Sequence, residues 1–175
     1  MQRFIWMFSI CLLPLFVKAQ TAPAATDVLK NAEAKAAKAH KNVLIIFHAS
    51  WCHWCHEMDS AIADAACKPF FERSFVLEHL TVSESPQNKN LENPGADVLL
   101  KQYTNGKESG IPFWVILDPK GNLLADSRQP GTGENIGCPT TAADVAQLKS
   151  ILVKTGKGSP TEINTIGERF ARIGK

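Results

Sequence analysis

The sequence has no run of five or more basic residues, and its 19 Lys and Arg nearly balance 17 Asp and Glu. That excludes an electrostatic grip on nucleic acid. Cysteine is sparse, five in 175 residues, too few for a small scaffold held together by disulfides. There is no internal repeat, no low-complexity tract and no linker, so neither a repeat array nor a two-domain chain is indicated. The longest uncharged, mostly apolar stretch is Phe4 to Val17. Its 14 residues make a helix of about 21 Å, short of the roughly 30 Å hydrocarbon core of a bilayer. What is present is ordinary: 45% hydrophobic and 21% charged residues, the composition of one globular domain.

The N-terminal stretch is a secretory signal in form. Arg3 gives the positive start, the apolar run follows, and Val17-Lys18-Ala19 offers a cleavage site that leaves Gln20 first. Residues 1–19 are therefore set apart from the domain 20–175, with an uncleaved anchor as the alternative. A lipoprotein site does not fit, because Cys11 lies within the run and follows Ile10. Removing Arg3 and Lys18 leaves 17 basic against 17 acidic residues, a neutral exported protein with no stable membrane association. Export places Cys52, Cys55, Cys67 and Cys138 in an oxidising setting, where thiols pair unless kept reduced.

Along the domain, Ala24 to Lys41 is rich in Ala, Lys and Glu without Gly or Pro, a helix that Thr26 or Asp27 could cap. Val43–Phe47 reads as a buried strand. A helix after Cys55 runs to about Ala66, a short one spans Pro69–Arg73, and a strand lies near Ser74–Val82. Residues 83–95 form a polar loop, Ala96–Tyr103 a helix, and Asn105-Gly106 a turn. Phe113–Leu117 and Asn122–Ala125 flank Asp118-Pro119-Lys120-Gly121 as a hairpin. By alternation one of Phe113 and Trp114 faces the core. A Gly-rich loop at 127–141 precedes a helix at 142–154, and Ser159 or Thr161 could cap a last one at 160–172. The order predicts an α/β domain: a central sheet flanked by helices.

The chemistry concentrates in Trp51-Cys52-His53-Trp54-Cys55, between a buried strand and a helix. Thiol–disulfide exchange needs one low-pKa thiolate and a second thiol to resolve the mixed disulfide. At a helix start the unpaired N–H groups and the dipole favour a Cys52 thiolate, and Cys55 sits one turn in, ready to attack. A protonated His53 would favour that thiolate further. Far along the chain, Gly110-Ile111-Pro112 opens a strand, where Pro owes no ladder hydrogen bond. A cis bond at 111–112 would turn the Ile111 backbone outward, but few X-Pro bonds are cis and the residues alone leave it open.

Three rival readings use the same residues. Cys52-His53-Trp54-Cys55-His56 has the Cys-x-x-Cys-His form of c-type haem attachment, with His56 as proximal ligand. Met58, the only methionine after the signal, is too near His56 to reach the opposite haem face. Zinc could draw on His48, His53 and His56 around the cysteines, but no second ligand pair is visible. An inert structural disulfide is disfavoured because so short a loop constrains the unfolded chain little. No cofactor or metal is expected.

Phe47-His48-Ala49-Ser50-Trp51-Cys52-His53-Trp54-Cys55, then Gly110-Ile111-Pro112, then a hairpin and closing helix, resemble the thioredoxin superfamily over about residues 26–155. The Cys52-to-Met58 run is similar to thioredoxin-like domains carrying this variant. The resemblance implies a thioredoxin-like fold: a central mixed sheet flanked by helices, with an N-terminal helix and a C-terminal helical extension. It implies Cys52 as nucleophile, Cys55 as resolving thiol and Pro112 as a cis-proline beside them. It also implies that Ile111 binds substrate backbone and that Trp51 lines the groove. Trp54 is grouped with these substrate contacts, although it and Met58 equally suit packing. Two departures stand out. Ile46 occupies the position of the family's buried Asp, so Glu57, His48 or water would take the resolving thiol's proton. Trp54 precedes the second cysteine where secreted oxidases and isomerases usually carry His.

Cys67 lies 15 residues after Cys52, about 22 Å along a straight helix. By resemblance the loop holding Cys138 returns near the Cys52–Pro112 side. A Cys67–Cys138 bridge would then require that helix to bend. Cys67 is expected as a small buried hydrophobe, and Cys138 as a loop residue and third thiol near the site. The expectation is a monomeric, exported thiol–disulfide oxidoreductase that reduces or isomerises disulfides of protein substrates. A separate reductase or oxidase recharges it. A redox-regulated binding module without turnover is the alternative.

Overall fold

The structure is a computed structural model that describes residues 22–173; the signal reading of residues 1–19 falls outside them. Four strands form one sheet: β1 (Asn42–His48), β2 (Phe75–Thr81), β3 (Phe113–Leu117) and β4 (Leu123–Asp126). Their order is β2-β1-β3-β4, with β1 parallel to β2 and both β1/β3 and β3/β4 antiparallel. Among the described residues six α-helices flank the sheet: α1 (Ala25–Ala39), α2 (His53–Ala63), α3 (Lys68–Ser74), α4 (Ala96–Tyr103), α5 (Ala142–Thr155) and α6 (Pro160–Phe170). This is the thioredoxin-like α/β architecture expected from the sequence, with its N-terminal helix and C-terminal helices.

Alternation along β1 sends its side chains to two separate cores. Leu44 and Ile46 join residues of α2, α3, α5 and α6, while Val43, Ile45 and Phe47 meet α1 and α4. The same division on β3 buries both Phe113 and Trp114. Helices cover both faces, so neither neighbour on the strand is left outward, contrary to the one-sided expectation.

Three local readings are corrected. Neither Thr26 nor Asp27 caps α1: Ala24 is the N-cap without a side-chain bond, and the Ala25 N–H instead donates to the Pro94 carbonyl at 2.9 Å. The helix after Cys55 stops at Ala63, not Ala66, because Asp64 leaves helical geometry and its carboxylate accepts the Ala66 N–H at 2.9 Å. The polar loop at 83–95 contains a 3-10 helix, Pro86–Leu91.

The break at Asp64 is fixed from outside, since Arg169 Nε of α6 donates to the same carboxylate at 2.9 Å. The turn carries Cys67 back into the core, where it and Cys138 sit in one apolar cluster as free thiols. So the chain turns at Asp64 instead of running straight to Cys67, and even then Cys67 and Cys138 are not bridged. The last helix starts on a full capping box between Ser159 and Glu162 and lays Ile163, Ile166 and Phe170 into the core. Among the described residues no helix is long and apolar enough to cross a membrane.

Candidate active site

The site is assembled at the C-terminal end of β1. The strand ends at His48, and Ala49 to Trp51 turn the chain so that Cys52 becomes the N-cap of α2. Cys52 Sγ accepts the Cys55 N–H at 3.2 Å, and the Cys52 carbonyl takes both the Cys55 and His56 N–H groups. The Cys55 N–H of the first turn is therefore shared between the Cys52 carbonyl and the Cys52 sulfur, which sits at the positive end of the helix dipole. Cys52 and Cys55 are joined as a disulfide, with Cα atoms 5.3 Å apart. Both are nearly enclosed, 3% and 1% exposed, against Ala49 and Ile111.

The second segment, Gly110-Ile111-Pro112, comes from farther along the chain. The Ile111–Pro112 bond is cis, and the Ile111 carbonyl oxygen lies 3.7 Å from Cys52 Sγ. Two aromatic rings frame the pair, Trp51 at 59% and Trp54 at 46% exposure. Trp51 is fixed by its indole N–H, which donates to the Ser83 carbonyl at 2.9 Å. His53 is exposed, its ring edge-on to Trp54 with centroids 5.4 Å apart.

The three histidines considered for zinc diverge. His56 Nε2–H donates to the Ser50 carbonyl at 2.9 Å, His53 lies on Trp54, and His48 lies against β2. There His48 shares a hydrogen bond with Thr81 Oγ1 at 3.2 Å and packs on His79, ring centroids 4.8 Å apart. His79 Nε2–H in turn donates to Asp59 of α2 at 2.8 Å. Burial first, then the neighbouring His79, lower the His48 pKa below the ordinary histidine value and keep its ring neutral. Ile46 lies on the same strand face, fully buried among apolar neighbours, and offers no proton acceptor.

Several site residues were not legible in the sequence. Glu84 is only 4% exposed, and its carboxylate accepts the Ser50 N–H at 2.5 Å and the Ser50 hydroxyl at 2.8 Å. It thereby ties the loop that presents Cys52 to the segment after β2. A lone Glu in a polar loop carries no signal for this. The loop at 127–141, which the resemblance brings back to this side with Cys138 as a third thiol, supplies a second wall: Gly137 and Thr140, not anticipated, join Cys138 in facing Trp54, Ile111 and Pro112 across a cavity of about 180 Å³. Cys138 is 8% exposed, and burial, aided by the Glu57 charge, pushes its thiol pKa up to about 12. Burial and the nearby Asp64 likewise push the Cys67 thiol up.

The sequence model described as thioredoxin-like matches residues 24–119, more than half of the chain. The chain belongs to the thioredoxin-like family. A thioredoxin-like family member with this geometry has the fold of the disulfide oxidoreductases and their CxxC pair. Among solved structures, a disulphide isomerase from Xylella fastidiosa Temecula1 aligns at 20% identity and TM-score 0.50, covering 94% of this chain and all of the other. A DsbH oxidoreductase aligns at 21% identity and TM-score 0.43, covering 85% and 95% of the two chains. The oxidised C-terminal domain of DsbD from Neisseria meningitidis aligns at 26% identity and TM-score 0.37, covering 60% and 84%. No curated protein matches the sequence significantly.

Proposed function

We propose that this thioredoxin-like protein is an exported thiol–disulfide oxidoreductase that reduces or isomerises disulfides in protein substrates. The observation that carries the reading is the pairing of Cys52, N-cap of α2, with Cys55 one turn in and the Ile111 carbonyl 3.7 Å from the outer sulfur.

In the reduced protein the Cys52 thiolate attacks one sulfur of a client disulfide. A Cys52–client bond forms and the other client sulfur leaves as a thiolate. Cys55, deprotonated, then attacks Cys52 Sγ. The Cys52–Cys55 bond closes and the second client sulfur is released, so the client gains the two electrons that the protein loses. In isomerisation Cys55 does not act: the freed client thiolate attacks another client disulfide, and the thiolate released there attacks the client sulfur of the mixed disulfide, freeing Cys52 with no net electron change. Ile111 pairs with client backbone beside Pro112, and Trp51 and Trp54 provide the apolar rim around the reacting sulfurs. A protonated His53 adds positive charge near the helix start. With Ile46 unable to accept a proton, His48, Glu57 or water serves the Cys55 thiol. A separate redox partner restores the starting state, and the protein acts as a monomer.

Export rests on the signal-like form of residues 1–19, and a mature N-terminus at Gln20 is the outcome expected from mass spectrometry of secreted material. The haem alternative is disfavoured because the His56 Nε2 that would bind iron is engaged by the Ser50 carbonyl.

The test is reduction of insulin. Wild type turns over, Cys52→Ser does not, and Cys55→Ser accumulates a covalent Cys52–client adduct that dithiothreitol releases. Undiminished noncovalent client binding by both variants, with no turnover by the wild type, would establish the binding-module alternative instead.

A further inference from the structure

The Gly110 and Pro112 carbonyls are both held by one side chain from another part of the fold, that of Asn135. Between β4 and α5 the loop folds into a small hairpin: Arg128 bridges to Asn135, the Gln129 N–H donates to the Glu134 carbonyl at 2.8 Å, and the Ile136 N–H donates to the Ser127 carbonyl at 2.7 Å. Its return strand brings Asn135 against the site. The Asn135 Nδ2 group donates to the Gly110 carbonyl at 2.8 Å and to the Pro112 carbonyl at 3.1 Å. Its Oδ1 accepts the Ser127 hydroxyl at 2.7 Å and the Gly137 N–H at 3.0 Å.

All four hydrogen-bonding positions of the amide are thus used. The orientation is fixed as well, because a flipped amide would set its oxygen against two carbonyls. The anchor beneath is rigid: Ser127 is fully buried and its hydroxyl also accepts the Trp114 N–H of β3 at 3.1 Å. The Trp114 indole N–H closes the arrangement on the Gly137 carbonyl at 2.9 Å. The residue between the two clamped carbonyls is Ile111, whose own carbonyl lies by Cys52 Sγ.

We propose that Asn135 is a positioning residue for client capture, holding the carbonyls on either side of Ile111 so that the Ile111 peptide group faces an incoming client backbone. Asn135 touches neither sulfur; it acts through the Gly110–Pro112 segment. The inference rests on the oxidoreductase reading above, in which clients meet Ile111.

Two probes separate capture from chemistry. Insulin presents a disulfide on a peptide backbone, whereas cystamine is a disulfide without one. Rate constants for the reduced protein are read from the tryptophan fluorescence change as the Cys52–Cys55 disulfide forms. In Asn135→Asp the paired donors are replaced by carboxylate oxygens facing two carbonyls. The insulin rate constant is expected to fall about ten-fold, from the loss of two positioning hydrogen bonds, with the cystamine rate constant unchanged within about two-fold. Asn135→Ala, which removes the donors without adding charge, is expected to behave the same way and serves if the aspartate variant does not fold.

Equal insulin rates in variant and wild type would overturn the proposal. So would a parallel loss with both probes accompanied by a lower Tm, which would mark Asn135 as structural support only. If the wild type reacts with neither probe, the oxidoreductase reading itself falls, and the role of Asn135 with it.

Discussion

The enclosure of Cys138 can be tested by its reactivity. With a pKa near 12, its thiol is ionised at pH 8 to about one part in 10⁴. An ordinary cysteine of pKa about 8.5 is about one-quarter ionised at that pH, so the thiolate population differs by roughly 2 × 10³. The more basic thiolate is the better nucleophile. With a Brønsted slope of about 0.45, it regains a factor of roughly 40. The net expectation is labelling about 60-fold slower than for an ordinary cysteine, before the cost of opening the loop is added. The assay reacts the native and the urea-unfolded protein with a dipyridyl disulfide at pH 8 and follows the Cys138 peptide by mass. Native labelling within ten-fold of the unfolded rate would refute the enclosure of Cys138.

Two further outcomes concern stability. The half-buried His48 faces His79 of β2, Asp59 and His56 of α2, and Glu84 after β2, and burial first, then His79, depress its pKa. The unfolded chain therefore binds more protons as pH falls below about 6.5, so His48 contributes stability that is present above that pH and lost below it. Thermal melts should show Tm falling between pH 7.5 and 5, and falling less in His48→Gln; an equal fall in both proteins would exclude His48 as a source. At Gly156 an added Cβ would sit 2.3 Å from Phe70 Cζ and 2.9 Å from the Leu152 carbonyl oxygen. Gly156→Ala should cost about 1–3 kcal/mol through overpacking, readable as a lower urea midpoint at unchanged slope. An unshifted midpoint would mean that Phe70 yields without cost.

Where the chain signals itself locally, sequence and structure agree. Val43–Phe47 is an unbroken apolar run because both faces of β1 are covered, and the strand gains only Asn42 and His48 at its ends. Helix α4 and strand β3 fall where their patterns place them, and Ser159 caps α6. The redox pair was legible because two cysteines at a helix start are a chemical statement in themselves. What escaped was set by distant partners. The end of α2 depends on Asp64 meeting Arg169, 105 residues later. The start of α1 depends on the Pro94 carbonyl. Asn135 and Glu84 stand in loops whose composition says only that they are polar. Their roles arise from the carbonyls and N–H groups that the fold brings to them.

The central claim is that Cys52 and Cys55 form a reversible two-electron couple that works on client disulfides. Its most direct test is equilibration of the purified protein in graded thiol/disulfide buffers, followed by alkylation and mass analysis. One two-electron step confined to the peptide carrying Cys52 and Cys55 is expected. A potential near −270 mV would indicate a reductase and one near −120 to −180 mV an oxidase or isomerase. The absence of any two-electron step, or a step carried by Cys138, would contradict the account.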